Sequence, residues 1–330
     1  MRVELPDLIP MQPYYRECAW GGQRLRALFG KDLPTGVDVG ESFEFSALPG
    51  QESTVAGGPL SGRGLADLAA EFGPDLVGAA VWRRFEGGFP LLIKLIDACD
   101  DLSVQVHPDD AYARARGLGS QGKMEAWLVL DSEDGAAVFG LRDGTDRALL
   151  EQSLAAGRIE EVVCRHDLDA GDLLFVPPGV VHALCRGTVI YEVQQSSDLT
   201  FRLYDYGRPG LDGRPRELHI DAALDVIHFD ALPGPAPWSR GREAGPDGAL
   251  LVDCDYFRLH LHRLGKGARE HGSMESFQAL TVIRGAASVR GAAGAATLRA
   301  GDSLLVPAGR GYAVEGNADL EYLVATPVAD

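Results

Sequence analysis

The stretch GDLLFVPPGVVH (residues 171–182) recurs without a gap as GDSLLVPAGRGY (residues 301–312). Each copy reads as a turn, a short apolar strand that ends at a proline, and a second tight turn at a glycine. The first copy ends in His182, whereas the second ends in Tyr312. A repeated unit of this kind predicts two related β units, of which only the first keeps the histidine.

Short apolar runs separated by turns continue this pattern outside the repeat. PLLIKLID (90–97) and FRLHLHRL (257–264) are examples, and glycine occurs 41 times in 330 residues. Many short strands with frequent turns predict a mainly β sandwich or barrel. Two stretches have helical spacing of leucine and alanine instead, residues 65–72 and 145–161, and Thr145 or Asp143 would be the N-cap of the second. We interpret both as helical insertions in the first unit.

The composition restricts the partners and the compartment. Asp and Glu outnumber Lys and Arg by 48 to 31, which gives a formal net charge of −17. Such a chain repels the phosphates of nucleic acids and anionic membranes, so neither is expected as a partner. No apolar run is long enough to span a membrane and no secretory signal is visible, so we expect a cytoplasmic protein. The five scattered cysteines predict reduced thiols, and the sequence indicates no oligomeric state.

A candidate metal site surrounds the first repeat. Its pattern G-x5-P-x-G-x2-H, which ends in His182, matches the second signature of the cupin jelly roll. Upstream, Gln105 and His107 are two residues apart and would share one face of a strand, while Glu125 precedes an apolar strand. With His182 on a facing strand of the same barrel, these four side chains form a plausible Zn²⁺ site with room for substrate.

Four segments in order resemble the type I mannose-6-phosphate isomerases, specifically their short bacterial form. They are LLIKLIDACDDLSVQVHPDD (91–110), GKMEAW (122–127), VPPGVVHAL (176–184) and EVQQSSDLTFRLYDYGR (192–208). The resemblance implies two cupin-type jelly-roll units with helical insertions in the first. It also implies a zinc-dependent isomerase that interconverts mannose 6-phosphate and fructose 6-phosphate, with one Zn²⁺ per chain.

The resemblance further implies roles for individual residues. The residues that match the zinc ligands are Gln105, His107, Glu125 and His182. The two residues at catalytic positions are Lys123 and Arg202. The residues expected to bind the substrate are Lys94, Ser103, Glu192, Asp198 and Arg208, the last of them at the phosphate.

The chemistry of the reaction agrees with these residue types. Aldose–ketose isomerisation moves a proton between C1 and C2 through an enediol, so it needs a base and a cation for the developing charge. Arg202 carries a permanently charged fork that suits the oxyanion. Either Lys123 or a zinc-bound hydroxide could be the base, and the sequence leaves both open.

The Pro- and Gly-rich segment 231–248 is the best linker candidate. We therefore expect a catalytic, metal-binding cupin domain with helical insertions over residues 1–235. A degenerate second cupin unit without the metal site is expected over residues 249–330. His260 and His262 form an H-x-H pair there, but Tyr312 stands where the later ligand would be.

Three alternatives remain open at this point. Two His and one Glu also form the ligand triad of non-haem iron oxygenases. A sugar-phosphate-binding regulatory protein without turnover could keep the same pocket. An isomerase of a related sugar phosphate would carry the same residues.

Overall fold

The computed structural model describes residues 4–229, 249–272, 274–316 and 319–329. Strands before the predicted linker are β1 (Ile9–Gln12), β2 (Tyr14–Gly22), β3 (Val39–Phe45), β4 (Thr54–Val55), β5 (Leu91–Ala98), β6 (Val104–Val106), β7 (Glu125–Ser132), β8 (Ala136–Leu141), β9 (Val163–Asp167), β10 (Leu173–Val176), β11 (His182–Leu184), β12 (Thr188–Gln195) and β13 (Phe201–Tyr204). Strands after it are β14 (Ala249–Asp253), β15 (Phe257–Leu264), β16 (Gly267–His271), β17 (Gln278–Arg284), β18 (Ala286–Arg290), β19 (Ala295–Arg299), β20 (Ser303–Val306), β21 (Tyr312–Gly316) and β22 (Leu320–Pro327).

The α-helices are short and lie in the first unit. They are α1 (Arg24–Phe29), α2 (Leu65–Phe72), α3 (Pro74–Val77), α4 (Ala79–Arg84), α5 (Asp110–Ala115), α6 (Arg147–Ala155) and α7 (Ile220–Val226). Single 3₁₀ turns occur at Gly58–Leu60 and Ile159–Glu161. The prediction of a mainly β protein with helical insertions is confirmed. None of the helices in the described residues is long and apolar enough to cross a membrane.

The first unit is a sandwich of two antiparallel sheets. One has the strand order β10-β7-β12-β5-β3-β2 and the other β13-β6-β11-β8-β9. Their facing side chains form a buried apolar cluster that includes Trp20, Ile96, Trp127 and Leu184. Alternation along the strands sends every second side chain into this space. The candidate ligands lie at one end of the same interior.

The two predicted helices differ in how well their limits were predicted. Helix α2 spans the predicted residues, and Leu65 and Leu68 are fully buried against the core. Helix α6 is shorter than predicted, and its N-cap is Asp146, whose side chain accepts a hydrogen bond from Leu149 N (2.8 Å). Thr145 and Asp143 are therefore not the cap. The helix ends before Gly157, which adopts a left-handed φ of 65°.

The repeat is visible in the strand registers, which locate the counterparts of the ligands in the second unit. Val176 pairs with Glu125 in the first unit, and Val306 pairs with Gln278 in the second. His182 likewise pairs with Gln105, and Tyr312 with His271. In the second unit, the Gln278 amide therefore replaces the Glu125 carboxylate, and the Tyr312 phenol replaces the His182 imidazole. The Tyr312 hydroxyl donates a hydrogen bond to Gln278 Oε1 (3.1 Å).

The first strands of the chain belong to the sheet of the second unit. The seven-stranded sheet has the order β14-β15-β22-β17-β20-β1-β4, and Ile9 pairs with Leu305. A smaller sheet, β16-β21-β18-β19, completes this unit. Between the units, Glu44 is fully buried and accepts hydrogen bonds from Lys31 Nζ (2.6 Å) and Ser303 Oγ (2.8 Å). The predicted linker, residues 231–248, lies outside the described residues.

Candidate metal centre and active site

Three potential metal ligands meet inside the first unit. His107, Glu125 and His182 place their ligand atoms within 4.8 Å of one another, and each residue is at most 1% exposed. The two imidazole Nε2 atoms are 3.1 Å apart. Glu125 Oε1 lies 3.2 Å from His182 Nε2, and Oε2 lies 3.5 Å from His107 Nε2.

Hydrogen bonds on the far side of each ring fix the histidine tautomers. His107 Nδ1 lies 2.7 Å from Leu199 O, and His182 Nδ1 lies 2.9 Å from Val180 O. A carbonyl only accepts, so each Nδ1 carries a proton and each Nε2 is the atom that faces the cluster. Burial, helped by the charge of Lys123, lowers the pKa of His107 to about 3, so this ring is neutral near pH 7. Two imidazole Nε2 atoms and a buried carboxylate that converge on one point fit a divalent cation.

Strand geometry explains why these residues converge. In β6, Val104 and Val106 pack into an apolar cluster on the outer face of the sheet. Gln105 and the following His107 therefore face the interior of the sandwich. His182 lies on the neighbouring strand of the same sheet, not on a facing strand as predicted, and Glu125 comes from the facing sheet.

The turn before β11 ties the ligand strands together. Gly179 N donates to His107 O (2.9 Å), and Gly179 has a left-handed φ of 84°. A Cβ at this glycine would come within 2.8 Å of the His228 ring. Glycine is therefore required here both by backbone conformation and by space.

Gln105 stands beside the three ligands. Its Nε2 lies 3.3 Å from His182 Nε2, and its Oε1 lies 3.3 Å from Ser103 Oγ. A half-turn of the amide would direct Oε1 toward the ligand cluster. The Ser103 hydroxyl can donate or accept, so it satisfies either amide orientation. Gln105 is thus placed to supply a fourth ligand.

Lys123 reaches the cluster from a loop whose backbone is tightly held. Its Nζ lies 3.0 Å from Glu125 Oε2, and its own backbone N donates to Pro108 O (3.0 Å). On either side, Gly122 N donates to Asp110 Oδ1 (2.7 Å) and Met124 N donates to Gln195 Oε1 (2.9 Å).

Asp110 links this loop to the second unit. Besides Gly122, its Oδ1 accepts from Gln195 Nε2 (3.0 Å), and its Oδ2 accepts from Tyr256 OH (3.0 Å). Tyr256 precedes β15 in the second unit. The second unit therefore contacts the residue that positions the Lys123 loop.

Another ionic cluster lies on the six-stranded sheet that also carries Glu125. Lys94 Nζ contacts Glu41 Oε1 (3.0 Å) and Glu192 Oε2 (3.3 Å), and Arg16 contacts Glu41 Oε2 (3.2 Å). Trp127 Nε1 donates to Glu192 Oε1 (3.0 Å). Burial alone would lower the pKa of Lys94, but the two carboxylates raise it above its ordinary value, so Lys94 remains charged.

These groups line a cavity of about 430 Å³. This volume lies within the range of small-molecule sites. The charged residues that line it are Arg16, Lys94, Lys123, Arg202 and Arg216 on the basic side and Glu41, Glu192 and Asp198 on the acidic side. The balance of five cations and three anions gives +2 in a chain of net charge −17. The cavity is therefore suited to an anionic ligand.

Most of the residues predicted to act on the substrate line this cavity. Those that do are Lys94, Ser103, Gln105, Lys123, Glu192, Asp198 and Arg202. Arg208 does not line it, because its guanidinium contacts Asp205 (2.9 Å) and Asp100 (3.2 Å). Arg16, Glu41 and Arg216 line the cavity without having been predicted.

One of the missed residues had a signal in the sequence. Glu41 lies in β3, in which every residue is buried. A carboxylate in such an apolar strand requires a partner. Arg216 follows an irregular loop that has no periodicity to interpret.

Comparisons with known proteins point to one family. Residues 8–125 match the family described as phosphomannose isomerase type I, catalytic domain, and residues 249–323 match the mannose-6-phosphate isomerase cupin domain. A probable mannose-6-phosphate isomerase of Bacillus subtilis, GmuF, is 34% identical over 324 residues, which cover 96% of this chain and 98% of the relative. The mannose-6-phosphate isomerase of Streptococcus mutans is 34% identical over 90% of this chain and 91% of its own length.

Solved structures agree with the sequence relatives. The crystal structure of the mannose 6-phosphate isomerase from Bacillus subtilis matches with a TM-score of 0.81 and 30% identity, over 97% of this chain and 99% of that chain. A putative mannosephosphate isomerase from Archaeoglobus fulgidus shares the fold, with a TM-score of 0.80 at 24% identity, over 99% of this chain and 100% of that chain. The chain therefore belongs to the type I mannose-6-phosphate isomerase family.

Proposed function

We propose that the protein is a zinc-dependent isomerase that interconverts mannose 6-phosphate and fructose 6-phosphate, with one Zn²⁺ per chain. The observation that carries the proposal is the meeting of two histidine Nε2 atoms and a buried carboxylate beside a cavity with a net positive lining. The metal ligands would be His107, Glu125, His182 and Gln105. When bound, zinc would supply a Lewis acid that polarises the sugar oxygens and stabilises an enediolate.

We assign the proton transfer between C1 and C2 to Lys123. Its Nζ faces the cavity and lies 3.0 Å from Glu125 Oε2, next to the ligand cluster. The bonded backbone of residues 122–124 holds the amine in one place, which favours a repeated transfer between neighbouring carbons.

Arg202 is proposed to hold the reacting oxygens. It pairs with the ligand residue Gln105 across β13 and β6, so it lies beside the metal site. Its guanidinium has no carboxylate within 4.0 Å in the part of the chain that the structure describes. Its planar fork can therefore donate two hydrogen bonds to the enediolate.

The remaining cavity residues are proposed to bind the sugar hydroxyls. These residues are Lys94, Ser103, Glu192 and Asp198. Ion pairs fix the ammonium group of Lys94 between Glu41 and Glu192, so the sugar would meet a preorganised surface. The acidic net charge supports the further proposal that the enzyme binds neither nucleic acid nor anionic membranes.

A coupled assay on the purified protein tests the function. We expect turnover of mannose 6-phosphate, with far slower turnover of glucose 6-phosphate and of unphosphorylated mannose. Glu125→Ala should abolish it, whereas Glu160→Gln, at a surface site on the first unit, should not change it. Oxygen consumption with a carbon substrate, or tight sugar-phosphate binding without turnover, would contradict the proposal.

A further inference from the structure

The five cations that line the cavity differ in whether a carboxylate of the site already matches their charge. Arg16 and Lys94 both contact Glu41, at 3.2 and 3.0 Å. Lys123 contacts the ligand residue Glu125 at 3.0 Å. Three of the five positive charges are thus balanced within the site, and these three leave little net attraction for an anion.

Arg216 is held from behind the cavity wall. Its Nε and Nη2 donate to Asp205 Oδ2 (2.7 Å) and Oδ1 (2.6 Å), and Asp205 is 5% exposed and does not line the cavity. Arg208 shares this carboxylate at 2.9 Å and has a second partner in Asp100. One carboxylate therefore orients two guanidiniums, and Arg216 is the one that faces the cavity.

The neighbouring Arg202 has no carboxylate partner within 4.0 Å among the described residues, and its buried Nε has no hydrogen-bond partner there. Burial and then the charge of Arg216 lower the pKa of Arg202. Arg202 and Arg216 are thus the two lining cations that no carboxylate of the described cavity lining contacts, which favours anionic groups of a ligand on this side of the cavity.

We propose that Arg216, oriented by Asp205, binds the phosphate group of the sugar phosphate and sets the preference for phosphorylated over neutral sugars. This inference rests on the proposed function and makes it more specific. Arg202 lies next to the ligand strand β6, so it serves the reacting end of the sugar, while Arg216 follows the loop after β13 and serves the other end. A planar fork that is already fixed on one edge suits a tetrahedral dianion.

Five proteins test the assignment: the wild type, Arg216→Gln, Arg216→Lys, Arg208→Gln and Arg214→Gln. Arg214 is exposed in the same loop and does not line the cavity, so its variant controls for the loss of one positive charge. The Michaelis constant and kcat are measured for mannose 6-phosphate and for unphosphorylated mannose. Binding of inorganic phosphate to the same proteins is measured by calorimetry.

We expect Arg216→Gln to raise the Michaelis constant for mannose 6-phosphate roughly 10- to 100-fold, the range of hydrogen bonds to charged groups. Its kcat/KM for mannose should stay within about twofold of the wild type, because a neutral sugar does not use the fork. Arg214→Gln should match the wild type, and Arg216→Lys should recover part of the loss. Phosphate binding should weaken in Arg216→Gln alone.

Two results would overturn the assignment. Equal losses on both sugars in Arg216→Gln would show a structural role, and a larger loss of phosphate affinity in Arg208→Gln would transfer the role to that residue. If the wild type turned over neither sugar, the proposed function would fail. The calorimetric comparison of Arg216→Gln with Arg214→Gln would still decide whether Arg216 binds phosphate.

Discussion

Replacing Asp110 tests whether the second unit helps to position the Lys123 loop. The Asp110 carboxylate accepts four hydrogen bonds, from Gly122 N (2.7 Å), Gln195 Nε2 (3.0 Å), Tyr256 OH (3.0 Å) and, at the exposed surface, Arg114 Nη2 (3.1 Å). Each hydrogen bond to a charged group contributes about 1.5–3 kcal/mol. Asp110→Ala removes all four.

The sum of these bonds overstates the loss of stability. The Asp110 side chain is 21% exposed, so water replaces part of what the carboxylate provides. We therefore expect Asp110→Ala to lower the free energy of unfolding by about 2–4 kcal/mol. Because Gly122 precedes Lys123, its release should also let the amine move, and a displacement of about 1 Å can reduce turnover as much as 100-fold.

The assay combines urea unfolding with steady-state kinetics and metal analysis. We expect Asp110→Ala to bind metal as the wild type does while kcat falls roughly 10- to 100-fold. Tyr256→Phe, which removes one bond from the second unit, should show a smaller effect of the same kind. Asp109→Asn is the matched control, since Asn keeps the N-cap of α5. An unchanged kcat in Asp110→Ala would refute the positioning argument.

Three further substitutions probe the reacting end, the interface and the ligand turn. Arg202→Lys should reduce kcat in the coupled assay while elemental analysis finds the metal retained, because one ammonium cannot replace the guanidinium fork; a wild-type kcat would exclude that role. Glu44→Gln should lower the free energy of unfolding by about 3–5 kcal/mol in urea, because it leaves Lys31 buried without its partner, and a loss below about 1 kcal/mol would contradict this. Gly179→Ala should reduce both thermal stability and metal content, since the new Cβ strains a left-handed turn and meets His228; wild-type values for both would argue against that constraint.

Residues in regular strands with short motifs could be predicted from the sequence. The alternation in QVH put Gln105 and His107 on one face, and the G-x5-P-x-G-x2-H pattern identified His182. The structure brings these side chains together with Glu125. It also shows that His182 lies on the strand next to Gln105 and not on a facing strand as predicted, because periodicity does not reveal which strands are neighbours.

Features that depend on distant pairing could not be predicted. Strand β1 joins β20 at the far end of the chain, and the two-residue strand β4 is too short to show a period. The cap of α6, Asp146, lies one position after Thr145 and three after Asp143, the two predicted caps, because all three residues have cap-forming side chains. Asp205 holds the Arg216 guanidinium at the cavity wall, and no local sequence pattern indicates this contact.

The central claim is that His107, Glu125, His182 and Gln105 hold a single catalytic zinc ion. Elemental analysis of the purified wild type and of His182→Ala, each followed by an activity assay before and after chelation, measures this directly. The account predicts one zinc per wild-type chain, loss of activity on chelation, restoration by Zn²⁺, and neither zinc nor activity in His182→Ala. A wild-type protein that isomerises mannose 6-phosphate at full rate without any bound metal would contradict it.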